Sequence, residues 1–162
     1  MRINFKILFV GLIVMLGAGC ASQPQGASAD EMISSAKSVD ASFITAFNSG
    51  DAEGMAALYW NSPDLVVYPP DAMECKGWQA LHDEYVQMAK ENSGAKLQLI
   101  EPQYLVAGNY VIDHGRWKMT LASGQEMLGR YTAVMTMKDG KWVFVLDHPS
   151  VPMPPPPTSQ PN

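Results

Sequence analysis

The last strand-like segment of the sequence is Trp142-Val143-Phe144-Val145-Leu146-Asp147-His148-Pro149-Ser150. Two more strand-like segments precede it, at 109–121 and 125–138. Ser123-Gly124 and Asp139-Gly140 separate the three segments and have the composition of tight hairpin turns. The pattern predicts three consecutive antiparallel strands.

Helical patterns come earlier in the chain. Residues 30–49 carry one apolar stripe at three- and four-residue spacing, formed by Ala36, Val39, Phe43, Ala46 and Phe47. A short helix is expected after Asp51, and a third helix opens at Gly77 and ends near Gly94. Helices that precede a mostly antiparallel sheet predict an α+β fold, with the helices packed on one face of the sheet.

The N-terminus has the composition of a signal peptide. Arg2 and Lys6 flank its basic start, the apolar run Ile7–Leu16 follows, and Gly17-Ala18-Gly19-Cys20 closes it. The run is too short to span a bilayer. We therefore predict a signal peptide at 1–19, a tether at 20–29, a folded domain at 30–152 and a Pro-rich tail at 153–162.

The cysteine after the small residues resembles a bacterial lipobox, although Gly17 stands where a large aliphatic residue is usual. The resemblance implies that Cys20 is lipidated and anchors the chain in the cell envelope. Because Ala21 follows, it implies the periplasmic side of the outer membrane in a Gram-negative host. The alternative is an ordinary cleaved signal with Cys20 incidental.

Charge limits the possible partners. Removing Arg2 and Lys6 from the 11 basic residues leaves nine against 16 acidic ones, a net charge of −7 for the mature chain. An acidic chain of this kind is not expected to bind nucleic acid electrostatically. No spacing typical of a zinc site and no Gly-rich phosphate loop is present, so neither a metal nor a cofactor is predicted.

The turn at Ser123-Gly124, counted as two residues, places Trp117 opposite Arg130 and both on the inward face. The turn at Asp139-Gly140 allows two registers. A two-residue type I′ turn sets Tyr131 opposite His148, whereas a three-residue loop with a G1 bulge sets Arg130 opposite His148. We prefer the second register, because it buries the large side chains together.

This register predicts a pocket that is aromatic with one polar end. Arg130 would present donors to an oxyanion, and His148 would carry a proton, oriented by Asp113 or Asp147. The ligand-binding residues predicted on this basis are Trp60, Tyr68, Trp117, Arg130 and His148. The alternative is structural: Arg130 pairs with an aspartate and His148 is a hydrogen-bonded core residue. Both registers also leave a second apolar face, on the outer side of the sheet, that is suited to a homodimer and contains Tyr131, Ala133, Met135 and Met137 or their partners.

The chain resembles the NTF2-like superfamily, in its SnoaL-like and DUF4440 branch, over roughly residues 31–152. The resemblance is carried by Asn48–Tyr59, by Gly129-Arg130-Tyr131-Thr132, by Asp139-Gly140-Lys141-Trp142 and by Asp147-His148-Pro149-Ser150. It implies a cone, in which a curved sheet is wrapped by three N-terminal helices around a conical pocket, and commonly a dimer. The superfamily includes ketosteroid isomerases, but their oxyanion-hole tyrosine falls at Phe43 here and their basic aspartate at Tyr68.

Three functions are compatible with these patterns. The first is a lipid-anchored envelope domain that binds a small, partly apolar ligand able to carry a negative charge. The second is an enzyme of the polyketide cyclase or hydrolase type, with the catalytic residues His148 as general base, Arg130 as oxyanion stabiliser and Asp147 as the orienting acid. The third is a non-catalytic partner of another envelope protein.

Overall fold

A computed structural model describes residues 27–152 of the chain. The predicted signal peptide, Cys20, most of the tether and the Pro-rich tail lie outside these residues. The helices are α1 (Ala29–Ser49), α2 (Ala52–Ala56) and α3 (Trp78–Glu91). The strands are β1 (Val66–Val67), β2 (Cys75–Lys76), β3 (Lys96–Ala107), β4 (Tyr110–Thr120), β5 (Glu126–Lys138) and β6 (Lys141–Ser150). Within the described part, no helix is long and apolar enough to cross a membrane.

The six strands form one mixed sheet in the order β2-β1-β6-β5-β4-β3. Strand β1 runs parallel to β6, and all other neighbours are antiparallel. The curved sheet is wrapped by helices on its concave face, which we call the inward face. The expected α+β cone with three N-terminal helices is therefore confirmed.

Helix α1 supplies much of the contact with the sheet. A capping box at Ser28 starts it: the Glu31 amide donates to Ser28 Oγ, and the Ser28 amide donates to the Glu31 carboxylate. Gly50 ends it in the left-handed conformation, with φ of 74°. The side of α1 that faces the sheet buries Met32, Ala36, Val39, Asp40 and Ala46.

The first hairpin differs from the prediction by one residue. Its loop is Ala122-Ser123-Gly124, closed by a Leu121 amide donating to the Gln125 carbonyl at 2.9 Å, with Gly124 at φ of 85°. Trp117 consequently lies opposite Gly129, and Arg130 lies opposite Arg116. A shift of one residue moves every side chain of β5 to the other face of the sheet.

The second hairpin also differs. Lys138 pairs with Lys141 around a two-residue turn in which Asp139 and Gly140 have φ of 49° and 77°, as a type I′ turn requires. A β-bulge at Val145 then shifts the register, so that His148 lies opposite Thr132. Neither predicted register is therefore correct, because the bulge was not foreseen.

These two registers exchange the predicted faces of β5. Tyr131, Ala133 and Met135, expected on the outer dimer face, are buried on the inward face. Arg130 and Thr132, expected inside, are exposed on the outward face. The predicted face of β4 is correct, since Val111, Asp113 and Trp117 are buried.

Candidate functional site

The predicted ligand-binding residues do not come together in one interior pocket, although Arg130 and His148 lie in neighbouring rows of the outward face. Arg130 is exposed on the outward face, where its Nε donates to Ser150 Oγ at 3.3 Å. His148 is exposed on the same face, with its ring 5.5 Å from that of Tyr68. Trp60 lies under Lys138 Nζ, 4.5 Å from the ring centroid. The prediction that these residues line one interior pocket with Trp117 is wrong, because the registers of both hairpins differ from those assumed.

Of the predicted ligand-binding residues on strands β4 and β5, Trp117 faces inward and Arg130 does not. The Trp117 indole ring occupies the space that a Cβ at Gly129 would need, and its Nε1 donates to the Arg130 carbonyl at 3.2 Å. The predicted side-by-side placement of Trp117 and Arg130 on the inward face is replaced by this hydrogen bond to the Arg130 backbone. Gly129 is thus required by the close approach of the indole.

The inward face instead gathers carboxyl groups and phenols. Tyr131 Oη donates to Asp113 Oδ1 at 3.0 Å, Tyr104 Oη donates to Asp40 Oδ2 at 2.7 Å, and Tyr59 Oη donates to Asp147 Oδ2 at 2.8 Å. We refer to these six side chains as the acid–tyrosine cluster: Asp40, Asp113, Asp147, Tyr59, Tyr104 and Tyr131. Of the predicted catalytic residues, only Asp147 belongs to it.

The sheet register explains how the cluster is assembled. Tyr104, Asp113, Ala133 and Asp147 follow one another as cross-strand partners from β3 to β6, and all face inward. The small Ala133 separates the two acids. Asp40 reaches the same region from α1, where it interrupts the apolar stripe of the helix.

Burial determines the charge of these acids. Asp113 is fully buried, and its Oδ2 has no hydrogen-bond partner. Burial, followed by the negative charge of Asp40, raises the pKa of Asp113 to about 8. Burial also raises the pKa of Asp40, and it raises that of Asp147 to about 6. No salt bridge within residues 27–152 involves any of the three acids.

Asp40 and Asp113 therefore behave as a pair that retains a proton at neutral pH. Two neighbouring buried carboxyls cannot both ionise without strong repulsion. A protonated Asp113 becomes a hydrogen-bond donor, which can satisfy the otherwise unpartnered oxygen by donating to Asp40 or to the oxygen of a ligand. The pair can also take up and release a proton.

Aromatic rings border the cluster. Phe43, Tyr59, Tyr85 and Phe144 contact one another with ring centroids 4.8 to 6.2 Å apart. Tyr104 and Asp147 are only partly buried, so two sides of the cluster reach towards solvent. The cluster thus combines an apolar wall with hydrogen-bonding carboxyl and phenol groups, a combination suited to a small molecule.

Other features of the described residues do not add chemistry to this site. No group of three or more His, Cys, Asp or Glu side chains between residues 27 and 152 is placed to hold a metal ion. Cys75 is buried, and burial, with Glu84 nearby, raises its thiol pKa to about 12, which keeps it protonated. Two grooves of about 420 and 380 Å³ are formed by residues of α1 and α2 and by the start of α3.

Asp40 and its tyrosine partner were not predicted from the sequence, although a signal for Asp40 was available. Its position, four residues after Ala36 and three before Phe43, lies within the apolar stripe of α1. A carboxylate in such a stripe is costly unless it is partnered, and this cost marks it as a candidate functional residue.

Comparison with solved structures identifies the fold. An NTF2-like superfamily protein from Salmonella enterica superposes with a TM-score of 0.69 at 18% identity, covering 82% of this chain and 99% of its own. An NTF2-like protein of unknown function from Pseudomonas putida gives 0.71 at 20% identity, covering 80% and 92%. A protein with a cystatin-like fold from Caulobacter vibrioides gives 0.66 at 17% identity, covering 76% and 92%.

At these identities the similarity establishes the fold and not the activity. No curated protein sequence matches the chain. The family model described as the SnoaL-like domain matches residues 41–145, a span that contains Asp113 and ends close to Asp40 on one side and Asp147 on the other. With this match and the shared fold, the chain belongs to the SnoaL-like domain family of the NTF2-like superfamily.

Proposed function

We propose that this domain binds a small, uncharged and partly apolar molecule inside the cone, with a polar group of the ligand held by the acid–tyrosine cluster. The observation that carries the proposal is the fully buried Asp113, whose Oδ2 receives no hydrogen bond from the described residues and can be satisfied only through a proton shared with Asp40 or with a ligand. An unsatisfied buried polar atom is costly, and such atoms are concentrated where a protein binds or reacts.

The chemistry of the cluster selects the ligand class. Its acids would repel an anionic ligand, and the cation expected to attract one, Arg130, faces outward. A neutral Asp113 donates a hydrogen bond, and the partly ionised Asp147 accepts one. A hydroxyl or carbonyl group on an aromatic or aliphatic frame meets both requirements, with Phe43 and Phe144 supplying apolar contact.

The test uses two probes that share a propylphenyl frame and differ in charge, 4-propylphenol and 4-propylbenzoate. Titration calorimetry at neutral pH is expected to show binding of the phenol and none of the benzoate. Asp113→Leu should weaken phenol binding about tenfold, because leucine has neither a donor nor an acceptor and the hydrogen bond to the ligand is lost. Asp71→Leu, which makes the same change at an exposed acid, is the matched control.

Equal affinity of the Asp113 variant and the unmodified protein for the phenol would contradict this function. Native mass spectrometry of the protein purified from its own host provides an independent measurement. A retained neutral molecule supports the proposal, and its mass identifies the ligand class.

General acid–base catalysis is the second candidate function, carried by the Asp40–Asp113 pair and not by His148. The observation in its favour is a buried acid pair that retains a proton near neutral pH. We expect the unmodified protein to convert the retained molecule into a product. The Asp40→Asn and Asp113→Asn variants should both lose this activity. Intact catalysis in either variant would contradict it.

The envelope location is part of the proposal and is supported by the lipobox-like sequence that ends at Cys20. A Cys20→Ser variant expressed in the host is expected to lose the lipid-modified N-terminal peptide in mass spectrometry. Association of the variant with the membrane fraction at the level of the unmodified protein would contradict anchoring through this residue.

Homodimerisation through the outward sheet face also stays a proposal. Its support is now a row of apolar side chains that crosses the sheet as consecutive cross-strand partners: Leu105, Ile112, Val134, Leu146 and Val66. Light scattering during gel filtration is expected to give twice the monomer mass. Val134→Glu, in the middle of the row, should give the monomer mass if this face is the interface.

A further inference from the structure

The outward sheet face brings two arginines together. Apart from Arg2 in the predicted signal peptide, Arg116 and Arg130 are the only arginines in the sequence. They are direct cross-strand partners on β4 and β5, and both are exposed. Side chains of directly opposed residues stand about 5 Å apart at Cβ, so two guanidinium groups can reach the same anion.

This arrangement is electrostatically unfavourable by itself. Like charges directly opposite each other destabilise a sheet. Glu101, on the neighbouring strand, forms a salt bridge with Arg116. Arg130 forms no salt bridge with any residue that the structure describes, and its Nε donates to the neutral Ser150 Oγ at 3.3 Å. The pair therefore has one acidic partner for two positive charges.

Further donors surround the arginines. The next row of the outward face consists of His114, Thr132 and His148, which are consecutive cross-strand partners. On the other side, Lys118 follows Arg116 on the same face and forms a salt bridge with Glu126 at 2.9 Å. Six donor side chains on one small area, the two arginines included, are unexpected in a mature chain whose net charge is −7.

We propose that Arg116, Arg130 and Ser150 form an anion-binding site for a phosphate group, flanked by His114 and His148. Guanidinium groups present a planar fork of donors that matches two phosphate oxygens, whereas lysine offers a point charge. The use of arginine at these two opposed positions, and of lysine at all seven other basic positions of the mature chain, fits recognition of an oxyanion better than general solubility.

The site is separate from the acid–tyrosine cluster, because it lies on the opposite face of the sheet. It is also distinct from the apolar row, since Arg116 follows Ile112 by four residues of strand, about 13 Å. Binding of phosphate here does not depend on the ligand proposed for the cone. The phosphate group can belong to a free phosphate or to a lipid headgroup, and the experiment distinguishes these sources.

The arginine Nε–Hε signals of a ¹⁵N-labelled chain, residues 21–162, give a direct readout, because two such signals are expected. Inorganic phosphate is expected to shift both signals in a saturable manner, whereas sodium chloride at equal ionic strength is not. Arg130→Lys keeps the charge and loses the fork, and should weaken phosphate binding about tenfold. Lys141→Gln removes a charge elsewhere and should leave phosphate binding unchanged.

A second variant tests the competing carboxylate. Glu101→Gln removes the acid that forms a salt bridge with Arg116 and is expected to tighten phosphate binding. A purely structural role for the arginines predicts no change in phosphate affinity.

A lipid headgroup as the source of the phosphate is tested with vesicles. Binding to vesicles of phosphatidylcholine containing phosphatidic acid is compared with binding to vesicles of phosphatidylcholine alone. If the protein sediments with the acidic vesicles and the Arg130→Lys variant does not, the site binds a lipid headgroup. If phosphate shifts the arginine NMR signals but the protein does not sediment with these vesicles, the site binds free phosphate.

Two results would overturn the proposal. One is phosphate-induced shifts no larger than those caused by chloride, with no arginine-dependent binding to the acidic vesicles. The other is equal phosphate affinity of Arg130→Lys and the unmodified chain, because charge alone would then account for binding.

Discussion

Raising the pH is expected to destabilise the folded domain, which is the opposite of the usual behaviour of carboxyl groups. Folding raises the pKa of Asp113 from 3.8 to about 8, so between these values the folded state holds more protons than the unfolded chain. The unfolding free energy must therefore fall as the pH rises through this window, and the contribution of Asp113 is complete only below the unfolded pKa. A difference of about four pKa units sets an upper limit of about 6 kcal/mol.

Asp113→Asn isolates this effect, because asparagine has nearly the same shape and stays neutral. Urea unfolding at several values between about pH 5 and pH 9 is expected to show a falling stability for the unmodified protein and a shallower slope for the variant. Above about pH 8 the variant should be the more stable protein. The exposed Asp71→Asn variant should follow the unmodified protein throughout. A slope that is unchanged by Asp113→Asn would refute the assignment of a buried, protonated acid.

Three further substitutions test the packing around the cluster and the start of α1. Gly129→Ala places a methyl group against the Trp117 indole and should cost about 1–3 kcal/mol in urea unfolding, and an unchanged midpoint would contradict the observed approach. Tyr59→Phe removes the donor to Asp147, so the carboxyl ¹³C titration of Asp147 should move above its present pKa of about 6; a downward move would argue against this hydrogen bond. Ser28→Ala removes a capping box and should cost about 0.5–2 kcal/mol, with faster amide exchange in the first turn of α1 as the sign of a local effect.

The sequence predicted the elements of this fold better than their registers. Alternation along β4 placed Asp113 and Trp117 on the buried face correctly, because one apolar face dominates that strand. The turns were less informative, since Ser123-Gly124 and Asp139-Gly140 are each compatible with two- and three-residue loops. The first turn has the longer loop and the second the shorter one, opposite to what the sequence analysis assumed. Each difference of one residue reverses a strand's faces.

The candidate site was harder to predict because its members are distant in sequence. Asp40 and Tyr104 are 64 residues apart, and Tyr59 and Asp147 are 88 apart. No local motif joins them, and the resemblance to ketosteroid isomerases directed attention to positions 43 and 68. The bulge at Val145 was decisive, because it turns Asp147 inward and His148 outward. Bulges of this kind have no strong sequence signature in β6.

The parallel pairing of β1 with β6 has a consequence for how the chain folds. Strands β3 to β6 pair with their neighbours in sequence and can form as successive hairpins, whereas Val66 must wait for Leu146, 80 residues later. Closing such a long loop is entropically costly, so contacts of this kind form late. A nascent chain would therefore hold β1 and the Tyr59 ring without their final partners until the last strand is available. Truncation within β6 should leave this end of the sheet unpaired, even though α1 can already pack against β3.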